Sequence, residues 1–306
     1  MRSELNLHLL EQFVALARTK NFTRAADELH LSQPALSRAI QKLEDQLGAP
    51  LFERKPREVV LTDLGELLLE RAKEILQLME DTISELSEAG RRGRIRLGAI
   101  PTIAPYFLPG LLHTFAKKHP DILVVVQEDT TESLIRRCSH GEIDLAILAQ
   151  PVIARHLEVE PLFDEELLLV VPVDHPLASA KSVKIEALEG FPFVTLNEAH
   201  CLSENIASFC RKQSVQPVMV ERTSQLATVQ ELVALDHGVS IVPEMARKID
   251  SSDRRIYRSF AGEKPTRTLA MMWNASRFQG KAVKLLMEEL RRLTRTPSAP
   301  VNPKSR

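Results

Sequence analysis

Residues 22–54 read FTRAADELHLSQPALSRAIQKLEDQLGAPLFER, and this stretch decides the fold of the N-terminal part of the chain. It predicts two short helices joined by a tight turn. Thr23 is placed to cap the first helix and Ser32 to cap the second, which has Pro34 in its favoured first turn. The second helix is expected to stop at Gly48. Two short helices in this arrangement form a helix-turn-helix.

The second of these helices has a polar face opposite an apolar face that contains Leu36, Ile40 and Leu43. Gln and Arg side chains can make bidentate contacts to bases, while Ser and Lys can hold the phosphate backbone. The polar face therefore suits the major groove of double-stranded DNA; the alternative is a solvated helix surface. The residues predicted to contact DNA are Ser32, Gln33, Pro34, Ser37, Arg38, Gln41, Lys42 and, in the segment that follows, Arg54.

Further elements are predicted on either side of this helix pair. Residues 7–19 keep a helical apolar pattern, and residues 50–61 form an extended wing that turns at Pro56. Thr62 then caps a long helix, 63–89, whose unbroken apolar face indicates dimerisation. We expect a winged helix-turn-helix DNA-binding domain at 1–62, a linker and dimerisation helix at 63–90, a regulatory domain at 91–296 and a disordered tail at 297–306.

The region after residue 93 is predicted to be an α/β domain. Apolar, strand-like runs alternate there with helical stretches such as 106–118 and 133–138. Its length suffices for two lobes of parallel sheet with a cleft between them, as in periplasmic binding proteins. The strand-like runs are 95–100, 122–127, 143–148 and 166–173.

Composition excludes several classes of protein. With 44% apolar and 26% charged residues, the 306-residue chain is globular rather than disordered or fibrous. Its apolar runs are far shorter than the roughly 18 to 20 residues that cross a bilayer, so no membrane partner is expected. The N-terminus lacks the pattern of a secretory signal, which predicts a cytoplasmic protein. In that reducing compartment three cysteines do not make a disulfide framework, and a pair that oxidises does so transiently.

The order of residues in the N-terminal stretch resembles the LysR-type transcriptional regulators. The resemblance is carried by FTRAA (22–26), LSQPALS (31–37) and LGAPLFER (47–54), and Thr62 and Gly65 fit the same pattern. The lengths of the linker helix and of the following domain agree over nearly the whole chain. The resemblance implies a winged helix-turn-helix, a coiled-coil linker and a homotetramer, built as a dimer of dimers, that binds double-stranded DNA and contacts RNA polymerase.

Three further segments resemble the hydrogen peroxide sensors within that family. They are GAIPTIAPYFLP (98–109), PLFDE (161–165) with DHP (174–176), and HCL (200–202) with FC (209–210). The spacing of the two cysteines in the last segment matches those sensors. The chain is therefore expected to be a peroxide-responsive regulator and not an enzyme.

This resemblance also implies roles for individual residues. Cys201 is the thiol that reacts with hydrogen peroxide, and Cys210 is the thiol that then forms a reversible disulfide with it. A glutaredoxin or thioredoxin would reduce the disulfide again. The other implied site residues are Thr102, which hydrogen-bonds the peroxide, Thr131 and His200, which complete the pocket, and Arg267, which stabilises the thiolate from the opposite strand.

The two cysteines lie at the ends of a segment without Gly or Pro, in which a helix is predicted over 202–212. If one helix held both, a separation of nine residues would place them about 13 Å apart along the axis and on opposite faces. A disulfide requires Cα atoms within about 7 Å, so the implied pairing requires this segment to be rebuilt. Ser203 and Glu204 depart from the sensors, where Arg and Asp are common, which alters the local electrostatics.

Two other functions stay open at this point. One is a LysR-type regulator that binds a small anionic metabolite in its cleft through Thr102, Thr131 and Arg267, with both cysteines as small buried residues. The other is a thiol peroxidase, which would need sustained turnover with a reductant. The cysteine spacing with a single adjacent His matches no usual zinc pattern, so no metal or other cofactor is predicted. Cys138, in an ordinary helix, is interpreted as structural.

Overall fold

The computed structural model describes residues 6–55, 58–86, 93–154, 156–198 and 200–295. The chain divides into two compact units, Met1–Gly90 and Arg91–Arg306. The predicted tail at 297–306 lies outside the described residues. Among the helices within the described ranges, none has the length and apolar character needed to cross a membrane.

The described α-helices are α1 (Leu7–Thr19), α2 (Phe22–Glu28), α3 (Gln33–Leu47), α4 (Asp63–Leu86), α5 (Ala104–Lys118), α6 (Thr131–Ser139), α7 (Cys201–Lys212), α8 (Leu226–Ala234), α9 (Glu244–Ile249) and α10 (Lys281–Arg295). The described strands are β1 (Phe52–Lys55), β2 (Glu58–Leu61), β3 (Arg94–Ala99), β4 (Leu123–Glu128), β5 (Leu145–Ala149), β6 (Glu158–Pro172), β7 (Ser182–Val183), β8 (Pro192–Leu196), β9 (Val218–Thr223), β10 (Ser240–Pro243), β11 (Arg255–Phe260) and β12 (Thr266–Trp273). In the first unit, α1, α2 and α3 enclose an apolar core and β1 pairs antiparallel with β2.

The start of α2 differs from the prediction. Asn21, not Thr23, is the cap, and its Oδ1 accepts a hydrogen bond from the backbone N of Arg24 at 3.0 Å. Asn21 has the extended backbone of a cap residue, which leaves Thr23 inside the first turn. The prediction of Thr23 as the cap was wrong because Asn21, two residues earlier, is itself a good cap residue.

Helix α3 has the predicted ends. Ser32 Oγ accepts a hydrogen bond from the backbone N of Ala35 at 3.4 Å, and Pro34 lies in the first turn. Gly48 ends the helix in a left-handed conformation with φ of +71°, which favours glycine. Local sequence signals therefore set both ends of the helix that presents the polar face.

The wing is attached to α3 and α4 by contacts that hold its first strand. Glu44 Oε1 accepts hydrogen bonds from the backbone N atoms of Leu51 and Phe52, at 2.7 and 3.2 Å. Thr62 caps α4 as predicted, with its Oγ1 accepting from Gly65 N at 3.0 Å. A Cβ on Gly65 would lie 2.2 Å from the carbonyl oxygen of Leu51, so only glycine allows this close approach.

Helix α4 has two apolar faces. One face, with Leu68, Ala72 and Leu76, packs on the core of the first unit. A second set of large apolar side chains is exposed within a single chain. Its members are Leu64, Leu67, Ile75, Leu78, Met79 and Ile83.

The second unit consists of two lobes linked by the long strand β6. Residues 158–166 of β6 pair antiparallel with β12, and residues 167–172 pair antiparallel with β10 and β11. Sheet order runs β4-β3-β5-β12-β6-β11-β7, with β8 and β9 in a separate parallel pair. One apolar core includes residues of β3, β5 and β12, and the other includes residues of β8, α7 and α8. The two-lobed α/β architecture is confirmed.

Two details of this unit were predicted wrongly. The lobes hold mixed sheets rather than parallel ones, because the chain enters the second lobe through β6 and returns through β12 in the opposite direction. Strand β6 also begins at Glu158 instead of residue 166. Acidic residues such as Glu160 and Asp164 interrupt its apolar pattern, so the first half of the strand was missed.

Candidate functional site

The polar face of α3 is accessible along its length. Six of the seven predicted contact residues on this helix are exposed, and Ser37 is half-buried. The exposed residues are Ser32, Gln33, Pro34, Arg38, Gln41 and Lys42. Gln41 Nε2 donates to Asp45 Oδ1 at 3.0 Å, so this amide is held along the helix. Arg54 lies in β1 by its backbone, but its side chain lies outside the described residues.

A small pocket lies in the second unit where its two lobes meet. The first lobe contributes Ile100–Thr102, which follow β3, and Thr130–Thr131 at the start of α6. The second lobe contributes His200 and Cys201 at the start of α7. The pocket has a volume of about 170 Å³, open solvent included. With only seven lining residues, this pocket suits a ligand of very few atoms.

The Thr102 hydroxyl in this pocket is oriented by a buried guanidinium. Arg267 Nη1 donates to Thr102 Oγ1 at 2.8 Å, and Nη2 donates to the Thr102 carbonyl at 3.0 Å. The same guanidinium pairs with Glu165 Oε2 through Nη2 and Nε, at 2.8 and 2.9 Å. Because Thr102 Oγ1 already accepts from a cation, its own proton is free to point at a ligand.

Thr131 and His200 complete two sides of the pocket. Thr131 is the first residue of α6, and its Oγ1 is buried without a hydrogen-bond partner. An unpartnered buried hydroxyl is unfavourable unless something binds it, so Thr131 is suited to hydrogen-bond a small polar ligand. His200 is buried at the cap position of α7, and its ring makes no capping hydrogen bond to the helix.

Cys201 and Cys210 lie in different environments at the two ends of α7. Cys201 is half-buried in the first turn, and it packs against the core of the first lobe. Cys210 is buried in the core of the second lobe, and this burial raises its thiol pKa to about 11. Phe209, which precedes it, is only half-buried. Burial also raises the pKa of the Cys138 thiol, to about 12.

Family models match both units of this chain. Residues 7–66 match the bacterial regulatory helix-turn-helix protein, lysR family, and residues 88–295 match the LysR substrate binding domain. The chain belongs to the LysR family. This regulator is 33% identical over 272 residues to the DNA-binding transcriptional dual regulator OxyR of Escherichia coli K12, with 88% of this chain and 89% of that protein covered.

Solved structures of the same LysR family resemble it over nearly its whole length. A full-length OxyR variant from Pseudomonas aeruginosa is 31% identical with a TM-score of 0.77, covering 94% of this chain and 95% of that one. An H2O2-bound OxyR mutant of Corynebacterium glutamicum is 32% identical with a TM-score of 0.63, covering 94% and 92%. The chain is thus a DNA-binding transcriptional regulator of OxyR-like architecture, in a family of regulators rather than enzymes.

In this LysR-family regulator, four of the six predicted sensor residues line one pocket: Thr102, Thr131, His200 and Cys201. Arg267 lies behind Thr102 instead of in the pocket wall, and Cys210 lies in the core of the second lobe. Sequence reasoning missed Glu165, which holds Arg267. The signal that could have found it is an acidic residue just before the buried apolar run 167–171 of β6.

Proposed function

We propose that the chain is a peroxide-sensing transcriptional regulator in which Cys201 reacts with hydrogen peroxide and then forms a disulfide with Cys210. The observation that carries this proposal is the placement of Cys201 in one small pocket with two threonine hydroxyls that can receive a ligand. Thr102 offers a proton because Arg267 occupies its oxygen, and Thr131 has no protein partner. The relatives named as peroxide-inducible activators support the same assignment.

The chemistry follows from these positions. The Cys201 thiolate attacks one peroxide oxygen, the O–O bond breaks, and the departing oxygen takes a proton and leaves as water. The Thr102 and Thr131 hydroxyls, with His200, hold the peroxide and stabilise the charge that develops on the departing oxygen. The Cys210 thiol then attacks the sulfenic sulfur of Cys201, and a second water leaves as the disulfide forms.

Two observations favour peroxide over an anionic metabolite. The pocket has only seven lining residues and leaves little room for a metabolite. Arg267, the cation that would recognise an anion, is fully buried and already paired with the Glu165 carboxylate. A metabolite regulator would need a cation that is free to face its ligand.

The switch that we propose follows from the length of α7. Its regular helical path places the two sulfur atoms on opposite faces, so disulfide formation requires α7 to be rebuilt. This rebuilding would change the geometry of a homotetramer on DNA and thereby its contact with RNA polymerase. The exposed apolar face of α4 supports the dimer within that assembly, and glutaredoxin or thioredoxin would reset the switch.

Titration of free thiols before and after micromolar peroxide tests the proposed function. A peroxide sensor of this kind loses two of its three thiols per chain, whereas a metabolite regulator loses none. A thiol peroxidase would instead consume peroxide continuously when a reductant is supplied. Stoichiometric consumption that stops after one turnover is the result we expect.

Thr131→Val is expected to slow peroxide oxidation of Cys201 roughly three- to tenfold without loss of stability, since it removes one hydrogen bond to the ligand and no hydrogen bond within the protein. The rate of thiol loss and the urea midpoint together measure this. Thr114→Val, which removes a hydroxyl from α5 in the same lobe, is the control and should react at the parent rate. If Thr131→Val also reacts at the parent rate, this hydroxyl has no part in the site.

The predicted contact residues on α3 are proposed to bind operator DNA. Arg38→Ala is expected to weaken binding roughly tenfold or more, because one bidentate base contact contributes about 1 to 3 kcal/mol of discrimination. Fluorescence anisotropy at fixed salt measures the affinity. Arg254→Ala, which removes one exposed positive charge from the second unit, should bind DNA like the parent. If both variants lose the same DNA affinity, the loss comes from the change in net charge rather than from a direct contact of α3 with DNA.

A further inference from the structure

Helix α7 is attached to the preceding strand by an unusual first turn. His200 provides no side-chain cap, and instead Ser203 Oγ lies 2.9 Å from the carbonyl oxygen of Leu196 and 3.0 Å from that of Asn197. A hydroxyl has a single proton, so the two carbonyls share it. Leu196 is the last residue of β8, and Ser203 therefore ties the start of α7 to the end of β8.

Other polar contacts of α7 hold it less firmly. The ion pairs Glu204–Arg211 and Lys212–Glu263 involve side chains that are 53% to 70% exposed, and such surface pairs contribute little. Asn205 Nδ2 donates to the carbonyl of Gln150 at 3.3 Å, but its Oδ1 is buried without a partner. The stabilisation from the hydrogen bond is therefore offset by the cost of burying the unpartnered oxygen. The hydrogen bond of Ser203 is half-buried, and its side chain leaves no buried polar atom without a partner, so nothing offsets its contribution.

Resting on the proposed function, we propose that Ser203 is a positioning residue that sets how easily the Cys201–Cys210 disulfide forms. Ser203 lies between the two cysteines, in the segment that the disulfide would close. Its bonds to the carbonyls of Leu196 and Asn197 belong to the helical, reduced form and are lost when α7 is rebuilt. An interaction that is present only in the dithiol form favours that form, so Ser203 makes the disulfide easier to reduce.

Removal of this hydroxyl therefore shifts the redox equilibrium in a defined direction. The reaction is protein dithiol plus oxidised glutathione giving protein disulfide plus two reduced glutathiones, with two electrons and two protons transferred. Ser203→Ala loses the hydrogen bond of the dithiol form and should raise the equilibrium constant for disulfide formation roughly three- to tenfold. This is a shift of about 15 to 30 mV toward more negative reduction potential.

The experiment is a redox titration of the full-length chain in glutathione buffers, with the disulfide quantified by mass spectrometry after alkylation. Ser208→Ala is the matched control, since Ser208 is exposed on the same helix and the substitution gives the same gain in helix propensity. We expect the potential of Ser203→Ala to lie below that of Ser208→Ala. Ser203→Thr, which keeps the hydroxyl, should restore the parent value.

The outcomes separate this inference from the function on which it rests. If the parent chain forms no disulfide even in fully oxidised glutathione, the proposed function and this inference both fail. If the parent forms it and Ser203→Ala has the potential of Ser208→Ala, only the inference fails. Should the alanine variant not fold, Ser203→Thr and Ser203→Val give the same comparison, because they differ by a hydroxyl in place of a methyl.

Discussion

Cys201→Ser is expected to abolish the thiol response to peroxide altogether. In the parent, micromolar peroxide should reduce the free thiols from three per chain to one, whereas the variant should keep both of its remaining thiols. The physical reason is that the other two thiols hold almost no thiolate. Burial raises the pKa of the Cys210 thiol to about 11 and that of the Cys138 thiol to about 12, so both stay protonated at pH 7.

Two further variants sharpen this measurement. Cys138→Ala is the control, because it removes a buried thiol that the mechanism does not use, and both of its remaining thiols should disappear with peroxide. Cys210→Ser should stop at a sulfenic acid on Cys201, which a dimedone probe detects by mass spectrometry. Retention of peroxide-induced thiol loss in Cys201→Ser would show that another cysteine reacts first, and the proposed mechanism would not stand.

The parts of the molecule that the sequence predicted well are those that local signals determine. Helix α3 has its cap at Ser32 and its end at Gly48, and α7 covers the segment between the cysteines, starting one residue earlier than expected. Caps, spacing and the absence of Gly or Pro act within a few residues, so they are readable in one chain. The misplaced cap of α2 arose where two good candidates, Asn21 and Thr23, stand close together.

The arrangement behind the pocket could not be predicted in the same way. Arg267 is 102 residues from Glu165 and 165 residues from Thr102. The pairing of β12 with β6 places Arg267 opposite Glu165, and β5, which pairs with both β3 and β12, brings the end of β3 and Thr102 near Arg267. The resemblance implied a role for Arg267 at the thiolate, which stays a prediction; its contacts are with Thr102, Glu165 and Met245. Whether Thr131 Oγ1 has a hydrogen-bond partner likewise depends on residues that are distant in the sequence.

Arg267→Met is expected to destabilise the second unit by about 3 to 5 kcal/mol, because it leaves the buried Glu165 carboxylate without its cation. The side chains of this pair are 0% and 4% exposed, so water cannot replace the lost partner. Urea unfolding followed by the fluorescence of Trp273, the single tryptophan, reports on this unit because Trp273 lies in β12 together with Arg267. Peroxide reactivity should fall as well, since Thr102 loses its orienting donor.

Lys264→Met is the matched control for this effect. Lys264 pairs with Glu166 at 3.0 Å on the neighbouring stretch of strand, but the lysine is 51% exposed, and such pairs contribute at most about 1 kcal/mol. The double variant Glu165→Gln with Arg267→Met should be more stable than Arg267→Met alone, because no uncompensated charge remains and the amide oxygen can still accept from Met245 N. If Arg267→Met costs no more than Lys264→Met, the buried pair does not support the Thr102 side of the pocket.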